Sequence, residues 1–226
     1  VSNLFKHSKL KKNITIFGNT NNKDYLSYNY KNIKINQTYL SSSNKKYIKK
    51  FISIQKVDQP SIIEIHNRPN YVGAIYENLN SKIILYFHNN PLTISGSKSK
   101  LERSNLLNKC EYIVFNSAWT KNQFFEDLNE DDFTPKFGIC HQSTSKSKVN
   151  LAKKQNIITF VGKLNSAKGY DIFGHTIIKI LDKYPNWRSI VVGDEPREKH
   201  IFKHKNLKIY SFKENKFVLN LLKKAS

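Results

Sequence analysis

The stretch that decides the fold is Phe160-Val-Gly-Lys-Leu-Asn-Ser-Ala-Lys-Gly-Tyr-Asp171. It begins inside a short β-branched run, Ile157–Val161, and leads into Tyr170–Tyr184, where apolar residues recur at helical spacing until Pro185. A buried strand, a loop and a helix therefore follow one another here. That order is the repeating unit of an α/β sheet with parallel strands.

The loop Gly162–Gly169 has the composition of an anion-binding turn. Ligands of open α/β sheets bind at the carboxyl ends of the strands, and a helix N-terminus attracts negative charge. Lys163 and Lys168 can close on a diphosphate from two sides, while Gly162 lets the backbone come close to it. The alternative is an ordinary strand-to-helix turn with solvated lysines, because the loop matches neither a Walker sequence nor a dinucleotide fingerprint.

Further apolar runs extend the same pattern along the chain. Nearly continuous runs of this kind suit parallel strands buried on both faces. The sequence therefore predicts an α/β fold with parallel sheets flanked by helices. The predicted strands are Asn13–Phe17, a short strand near Ile33–Ile35, Ser61–Ile65, Ile83–Phe87, Tyr112–Phe115 and Ser189–Val192. The predicted helices are Tyr47–Val57, Tyr71–Leu79, Lys100–Lys109 and Ala118–Leu128.

The segment Asn129–Asn150 interrupts the alternation of strand and helix. It is first acidic and then rich in Ser and Lys, a composition typical of a connection between domains. We therefore expect two domains, residues 1–148 and residues 149–226.

The chain is strongly basic, with 38 Lys and Arg against 17 Asp and Glu and a net charge of +21 in 226 residues. Such a charge indicates an anionic partner: nucleic acid, an anionic membrane surface or a phosphorylated substrate. A compositional bias toward Lys, Asn and Ile is the alternative, because the lysines are dispersed. A basic nucleic-acid-binding protein is the rival class, although no RRM, KH or helix-turn-helix pattern is present.

The cysteines argue against a zinc site. Cys110 and Cys140 form no CxxC pair, and no histidine stands at metal-finger spacing. Two isolated cysteines suit a reducing compartment, so we expect a cytoplasmic protein.

These motifs resemble a known family. Phe160–Asp171 is similar to F-x-G-[R/K]-L-x-x-x-K-G-x-D, which opens the nucleotide-binding domain of family 4 glycosyltransferases of the GT-B type. Ile190-Val-Val-Gly-Asp-Glu-Pro-Arg197 resembles the next segment of that domain, a strand ending in G-D-G-P. The weaker matches are the strands ending at His66 and His88, the strand Asn206–Phe212 and the helix Phe217–Ser226. The resemblance touches residues from about 61 to 226.

The resemblance implies two Rossmann-like domains that face a cleft. Residues 1–148 would form the acceptor side, and residues 149–226 a truncated nucleotide-sugar-binding domain. The implied reaction moves a sugar from a nucleotide diphosphate sugar to an acceptor hydroxyl with retention at the anomeric carbon. Cell-surface polysaccharide, lipopolysaccharide or glycolipid synthesis is the implied context.

The resemblance also implies roles for single residues. Lys163 and Lys168 match the basic pair that binds the donor diphosphate and stabilises it as it leaves, and Gly162 matches the glycine of that loop. His88 matches an active-site histidine near the transferred sugar. By residue pattern alone, the favoured interpretation of His88 is a strand-end histidine held by a backbone bond.

Four further residues are candidates for the cleft or the acceptor: His66, Arg68, Asn89 and Ser117. His66 and Arg68 follow a central strand and suit an acceptor phosphate, with a solvated loop as the alternative. Ser117 suits a helix N-cap as well as a place in the cleft.

The resemblance implies neither a cofactor nor a metal. No Asp-x-Asp motif is present, and Asp131-Asp132 is interpreted as a chance acidic pair. The expected partners are a nucleotide-sugar donor and a carbohydrate or lipid-linked acceptor, with no nucleic acid. The positive charge suggests peripheral contact with an anionic membrane at the inner face of the plasma membrane.

The sequence departs from the family pattern in several places. Glu195 replaces the usual glycine of G-D-G-P, and Ser211 stands where glycine is usual. No glycine-rich strand unit precedes Asn13, and the family's E-x7-E region is expected beyond Ser226. We therefore expect part of a longer enzyme, with a non-catalytic, truncated sugar-nucleotide-binding relic as the alternative.

Overall fold

The structure, a computed structural model, describes residues 8–20, 29–35, 42–130, 133, 136–142, 148–195 and 197–226. The chain forms two compact units, Val1–Ser145 and Lys146–Ser226. The boundary predicted from the sequence, after residue 148, lies beside this division.

The first unit opens with a two-stranded parallel sheet of β1 (Ile16–Gly18) and β2 (Tyr30–Asn32). The short strand predicted near Ile33–Ile35 begins three residues earlier, at Tyr30. The Asn32 side chain accepts from the Thr20 N–H at 2.9 Å and donates to the Thr20 carbonyl at 2.8 Å. Backbone pairing extends one residue past β2, since the Ile33 N–H donates to the Gly18 carbonyl at 2.8 Å.

A four-stranded parallel sheet forms the centre of the first unit, in the order β3-β4-β5-β6. Its register places His66 beside Tyr86 and Phe87 beside Phe115, so the strands end at nearly the same level. The strands are β3 (Ile62–His66), β4 (Lys82–Phe87), β5 (Tyr112–Phe115) and β6 (Phe137–Ile139).

Strand β6 lies inside Asn129–Asn150, where the composition predicts no regular element, so that prediction is wrong for this part of the segment. Phe137–Ile139 pairs in parallel with Ile113–Phe115. The strand is short and has Gly138 at its centre, so its own propensity for β structure is low. Pairing with the exposed edge of β5 decides its conformation.

Four helices flank this sheet: α1 (Ser43–Asp58), α2 (Val72–Asn78), α3 (Lys100–Lys109) and α4 (Ala118–Phe124). Ser99 and Glu102 form a capping box at the start of α3. Helix α4 ends before the predicted Leu128, because Asp127 adopts a left-handed φ of 61° that a right-handed helix does not accommodate.

Apolar residues of β3–β5 and the helices form the core of the first unit. Arg103 of α3 is 2% exposed and lies within that core. Its guanidinium donates to the Lys98 carbonyl at 2.8 Å and to the Glu126 carbonyl. These bonds tie α3 to the turn that follows α4.

The second unit contains a three-stranded parallel sheet in the order β7-β8-β9. Ile157, Val192, Leu221 and Ala225 form a small core between this sheet and the last helix. The strands are β7 (Ile157–Val161), β8 (Arg188–Val192) and β9 (Leu207–Tyr210), and the helices are α5 (Tyr170–Lys183) and α6 (Asn215–Lys224). Among the described helices of both units, none is long and apolar enough to cross a membrane.

Gly174 occupies the middle of α5, where glycine costs about 1 kcal/mol relative to alanine. The structure explains its presence. The ring of Phe202 lies against the helix at this point, and a Cβ on Gly174 would overlap that ring. Gly169 begins the helix at a φ of 71°, a left-handed conformation that favours glycine.

Candidate functional site

Two of the predicted residues, His66 and His88, meet at the carboxyl edge of the first unit's sheet. His66 ends β3, and His88 directly follows β4, its neighbour in the sheet. Nδ1 of His66 lies 3.0 Å from Nε2 of His88. Their rings are parallel within 7°, with centroids 5.3 Å apart. The order of parallel strands therefore brings together residues that are 22 positions apart in the chain.

Two asparagines hold the backbone of His88, and the sequence analysis missed both. Asn67 has a left-handed φ of 57°, and its Oδ1 accepts from the His88 N–H at 3.2 Å. Asn116 donates from Nδ2 to the His88 carbonyl at 2.9 Å. Each asparagine directly follows a buried strand, which is the signal that would have found it. The backbone of His88 is thus fixed without engaging its ring nitrogens.

Both ring nitrogens of His88 have side-chain partners. Nε2 faces His66, and Nδ1 lies 2.9 Å from Nε2 of Gln142. Burial, with a contribution from His66, lowers the pKa of His88 below its ordinary value. His88 is therefore neutral near pH 7 and offers an imidazole rather than an imidazolium.

The other predicted residues of this edge have simpler surroundings. Arg68 is exposed and donates from Nη1 to the Asn67 carbonyl at 3.2 Å, and Asn89 is exposed. Ser117 caps α4, since its Oγ accepts from the Thr120 N–H at 3.1 Å. The helix-cap interpretation of Ser117 therefore holds, and a contact with substrate stays a prediction.

In the second unit, the loop Gly162–Gly169 extends from the carboxyl end of β7. The Gly162 N–H donates to the Val192 carbonyl at 3.1 Å, which extends the pairing of β7 with β8. Lys163 and Lys168 are both exposed. Within the described part of the chain, neither ammonium group forms an ion pair. The loop therefore presents two free positive charges.

Asn165 and Glu195 shape this loop, and the sequence analysis did not single out either as a site residue. Asn165 caps the short turn before α5 by accepting from the Lys168 N–H at 3.1 Å. Its Nδ2 donates to the buried carboxylate of Glu195 at 3.1 Å. Arg197 donates to the same carboxylate at 2.7 and 2.8 Å and lowers the pKa of Glu195 to about 2. Glu195, which stands where the family has glycine, thus links the Lys168 turn to the segment after β8.

Backbone N–H groups of the turn donate to other groups of the protein. Fewer of them are therefore available to the predicted anion. The Ser166 N–H donates to the Glu198 carboxylate at 2.9 Å. The N–H groups of Lys168 and Tyr170 donate to the side chain and the carbonyl of Asn165. Three amides expected to attract an anion are therefore engaged within the protein. The lysine side chains, rather than these amides, are the groups available to a diphosphate.

Two cavities lie at the amino ends of the two sheets, opposite the candidate residues. A groove of about 930 Å³ is lined by Ser61, Lys82 and Glu111, at the amino ends of β3, β4 and β5. Another of about 530 Å³ is lined by Asn156 and Trp187, at the amino ends of β7 and β8. None of the candidate residues lines either cavity. We place the functional edge at the carboxyl ends, because ligands of parallel α/β sheets bind there.

Metal-binding side chains do not cluster in the part of the chain that the structure describes. No group of three or more His, Cys, Asp or Glu residues there is arranged to hold an ion. The acidic pair Asp131-Asp132 lies outside the described residues.

The fold has known counterparts among solved structures. MnaA of S. aureus with UDP matches 88% of this chain at a TM-score of 0.56 and 12% identity. A Rickettsia africae glycosyltransferase matches 86% at a TM-score of 0.56 and 19% identity, and HepE of Anabaena with UDP-glucose matches 74% at 0.52 and 12%. The chain has an α/β fold of the GT-B type.

The GT-B likeness concerns the fold and covers part of each counterpart. The chain spans 59% of the length of MnaA, 57% of the Rickettsia glycosyltransferase and 52% of HepE. No protein-family model matches the sequence, and no curated protein sequence matches it.

Proposed function

We propose that the chain is part of a retaining glycosyltransferase, similar to family 4, that moves a sugar from a nucleotide diphosphate sugar to an acceptor hydroxyl. The observation that carries the proposal is the pair Lys163 and Lys168. Both are exposed, both lie in one loop at the carboxyl end of β7, and neither is in an ion pair with a described residue. MnaA was solved with UDP and HepE with UDP-glucose, which supports uridine diphosphate as the first nucleotide to test.

In the proposed reaction the two ammonium groups stabilise the departing diphosphate. The bond between the anomeric carbon and the diphosphate oxygen breaks, and the acceptor oxygen bonds to that carbon on the same face. The departing diphosphate takes the acceptor proton, so no protein base is required. Negative charge grows on the leaving group as this bond breaks, and Lys163 and Lys168 would meet that charge without a metal.

The first unit would supply the acceptor side. His88 is fixed by its backbone and neutral, which suits hydrogen bonding to a sugar hydroxyl near the reacting carbon. His66, Arg68, Asn89 and Ser117 occupy the same edge of the sheet and would contact the acceptor. A carbohydrate or lipid-linked acceptor of cell-surface polysaccharide, lipopolysaccharide or glycolipid synthesis fits this arrangement.

Hydrolysis of UDP-sugars with water as the acceptor tests both transfer and retention. UDP-glucose, UDP-galactose and UDP-N-acetylglucosamine are each incubated with the full chain, and the anomeric proton of the released sugar is followed by NMR. The α anomer should appear first and then mutarotate. A β anomer appearing first would contradict retention. UDP binding with no sugar release above the blank for any donor would favour the non-catalytic relic.

The excess of positive charge supports a peripheral contact with an anionic membrane in the cytoplasm. A net charge of +21 attracts acidic headgroups, and the attraction weakens as salt screens it. Sedimentation with vesicles of phosphatidylglycerol and phosphatidylcholine should carry the protein down at low salt and release it at high salt. Equal recovery with neutral vesicles would count against the contact.

A further inference from the structure

The two imidazoles at the carboxyl edge of the first unit form more than a stacked pair. Nδ1 of His66 and Nε2 of His88 are 3.0 Å apart, within hydrogen-bond distance. A hydrogen bond between two nitrogens needs one donor and one acceptor, so a single proton lies between these rings. The position of that proton determines what each ring offers on its other side.

The outer partners give the hydrogen bonds a direction. With its amide nitrogen facing His88, Gln142 donates to Nδ1 at 2.9 Å. Nδ1 of His88 is then an acceptor, so its proton is on Nε2 and points to Nδ1 of His66. His66 therefore carries its own proton on Nε2, which faces Oε2 of Glu64 at 3.6 Å. The two hydrogen bonds run in one direction from Gln142 through His88 to His66, whose Nε2 faces Glu64.

Among the titratable residues that surround the two histidines, Glu64 is the charged one. The Tyr86 ring stacks on His66 at 4.6 Å, and burial is the main cause of its raised pKa, so it is neutral. Cys140 follows β6, and His141 places Nδ1 3.2 Å from the Asn116 carbonyl. Glu64 is about half exposed and His66 is 17% exposed. A carboxylate beside a mostly buried imidazole stabilises its protonated form.

We propose that Glu64 and His66 are positioning residues that act through His88 and store one proton on His66. When a proton binds Nδ1 of His88, the proton on Nε2 of His88 passes to Nδ1 of His66. His66 becomes an imidazolium beside the Glu64 carboxylate, and His88 stays neutral with its proton now on Nδ1. One proton is taken up and one is transferred between the rings, so the number of protons is conserved. Nδ1 of His88 accepts from the Gln142 amide before uptake and is a donor afterwards, when that exposed amide turns so that its Oε1 accepts.

This relay depends on contacts within the first unit alone. Its use in sugar transfer, where a hydroxyl would replace Gln142 at Nδ1 of His88, rests on the proposed function. A nucleotide titration examines the second unit, whereas a titration of the imidazoles needs no substrate. Failure of one is therefore distinguishable from failure of the other.

Nitrogen NMR of the imidazoles tests the relay directly. The full chain is labelled with ¹⁵N-histidine, and long-range ¹H–¹⁵N spectra are recorded from neutral to acidic pH. His66→Gln and His88→Gln assign the two rings among the seven histidines. At neutral pH His88 should carry its proton on Nε2. On acidification His66 should become protonated at both nitrogens while the proton of His88 moves to Nδ1.

The Glu64→Gln variant removes the charge that holds the stored proton. We expect the pKa of the pair to fall by about one unit, and the added proton to remain on His88. The matched control is Asp182→Asn, since Asp182 lies 3.2 Å from Nε2 of His204 in the second unit. It should leave the pair unchanged.

Two results would overturn the relay. In one, the wild-type His88 becomes protonated at both nitrogens while His66 stays neutral. In the other, Glu64→Gln leaves both the pKa of the pair and the ring that takes the proton unchanged. A purely structural role of Glu64 would not move the proton from one ring to the other. The wild-type titration alone decides the first point, whatever the stability of the variants.

Discussion

Gly193→Ala should destabilise the second unit by about 3 kcal/mol, because the added methyl group has no room. A Cβ at this position would overlap the carbonyl oxygen of Gly162. That overlap cannot be relieved by a side-chain rotation. The Gly162 N–H donates a hydrogen bond to the Val192 carbonyl, and the Gly193 N–H donates to the Tyr210 carbonyl at 3.0 Å. Relief requires moving β8 away from the loop that carries Lys163.

Urea unfolding followed by tryptophan fluorescence measures the effect of Gly193→Ala. The chain has two tryptophans, Trp119 in the first unit and Trp187 in the second. A Trp119→Phe background leaves Trp187 to report on the second unit alone. Gly162→Ala is the matched control, since its Cβ would meet just the Phe160 ring at 3.7 Å. Equal destabilisation by the two alanines would contradict the proposed close approach.

Removing both Lys163 and Lys168 should weaken UDP binding about 100-fold. Each exposed ammonium contributes a charge-assisted bond to the diphosphate, and a loss near 1.4 kcal/mol per lysine is tenfold in affinity. Isothermal titration calorimetry of the Lys163→Ala/Lys168→Ala protein measures the loss. Each single variant should lose about tenfold.

The control for the lysine pair removes the same charge from helix α5, which follows the loop. Lys179 and Lys183 are exposed near the other end of α5. The Lys179→Ala/Lys183→Ala protein should bind UDP like the wild type. Inorganic pyrophosphate should show the same pattern, since the lysines recognise the diphosphate rather than the base. Equal losses in the two double variants would indicate a general effect of net charge.

The strands and most helices were predictable from the sequence because the apolar runs form parallel strands. Ile83–Phe87, Tyr112–Phe115 and Ile157–Val161 are strands or fall within strands of the structure. Nearly continuous apolar runs are typical of parallel strands in α/β sheets. The α/β class and the meeting of His66 with His88 follow from the same order of strands.

The parts that could not be predicted depend on partners distant in the chain. β6 forms because the edge of β5 is available, and its own residues contain no such signal. The place of Asn67 depends on its left-handed backbone beside His88. Glu195 departs from the family pattern, and its structural role depends on hydrogen bonds with Asn165 and Arg197. Polar contacts across loops are long-range, and local pattern does not encode them.

The central claim is that the loop Gly162–Gly169 binds a nucleotide diphosphate, and amide shift mapping tests it most directly. The uniformly ¹⁵N-labelled full chain is titrated with UDP, with uridine as the control. We expect saturable shifts in the amides of Gly162–Gly169 and Gly193–Glu195 with UDP and much smaller ones with uridine. Shifts confined to the opposite end of the sheet, around Asn156 and Trp187, or no saturable shift at all, would contradict the claim.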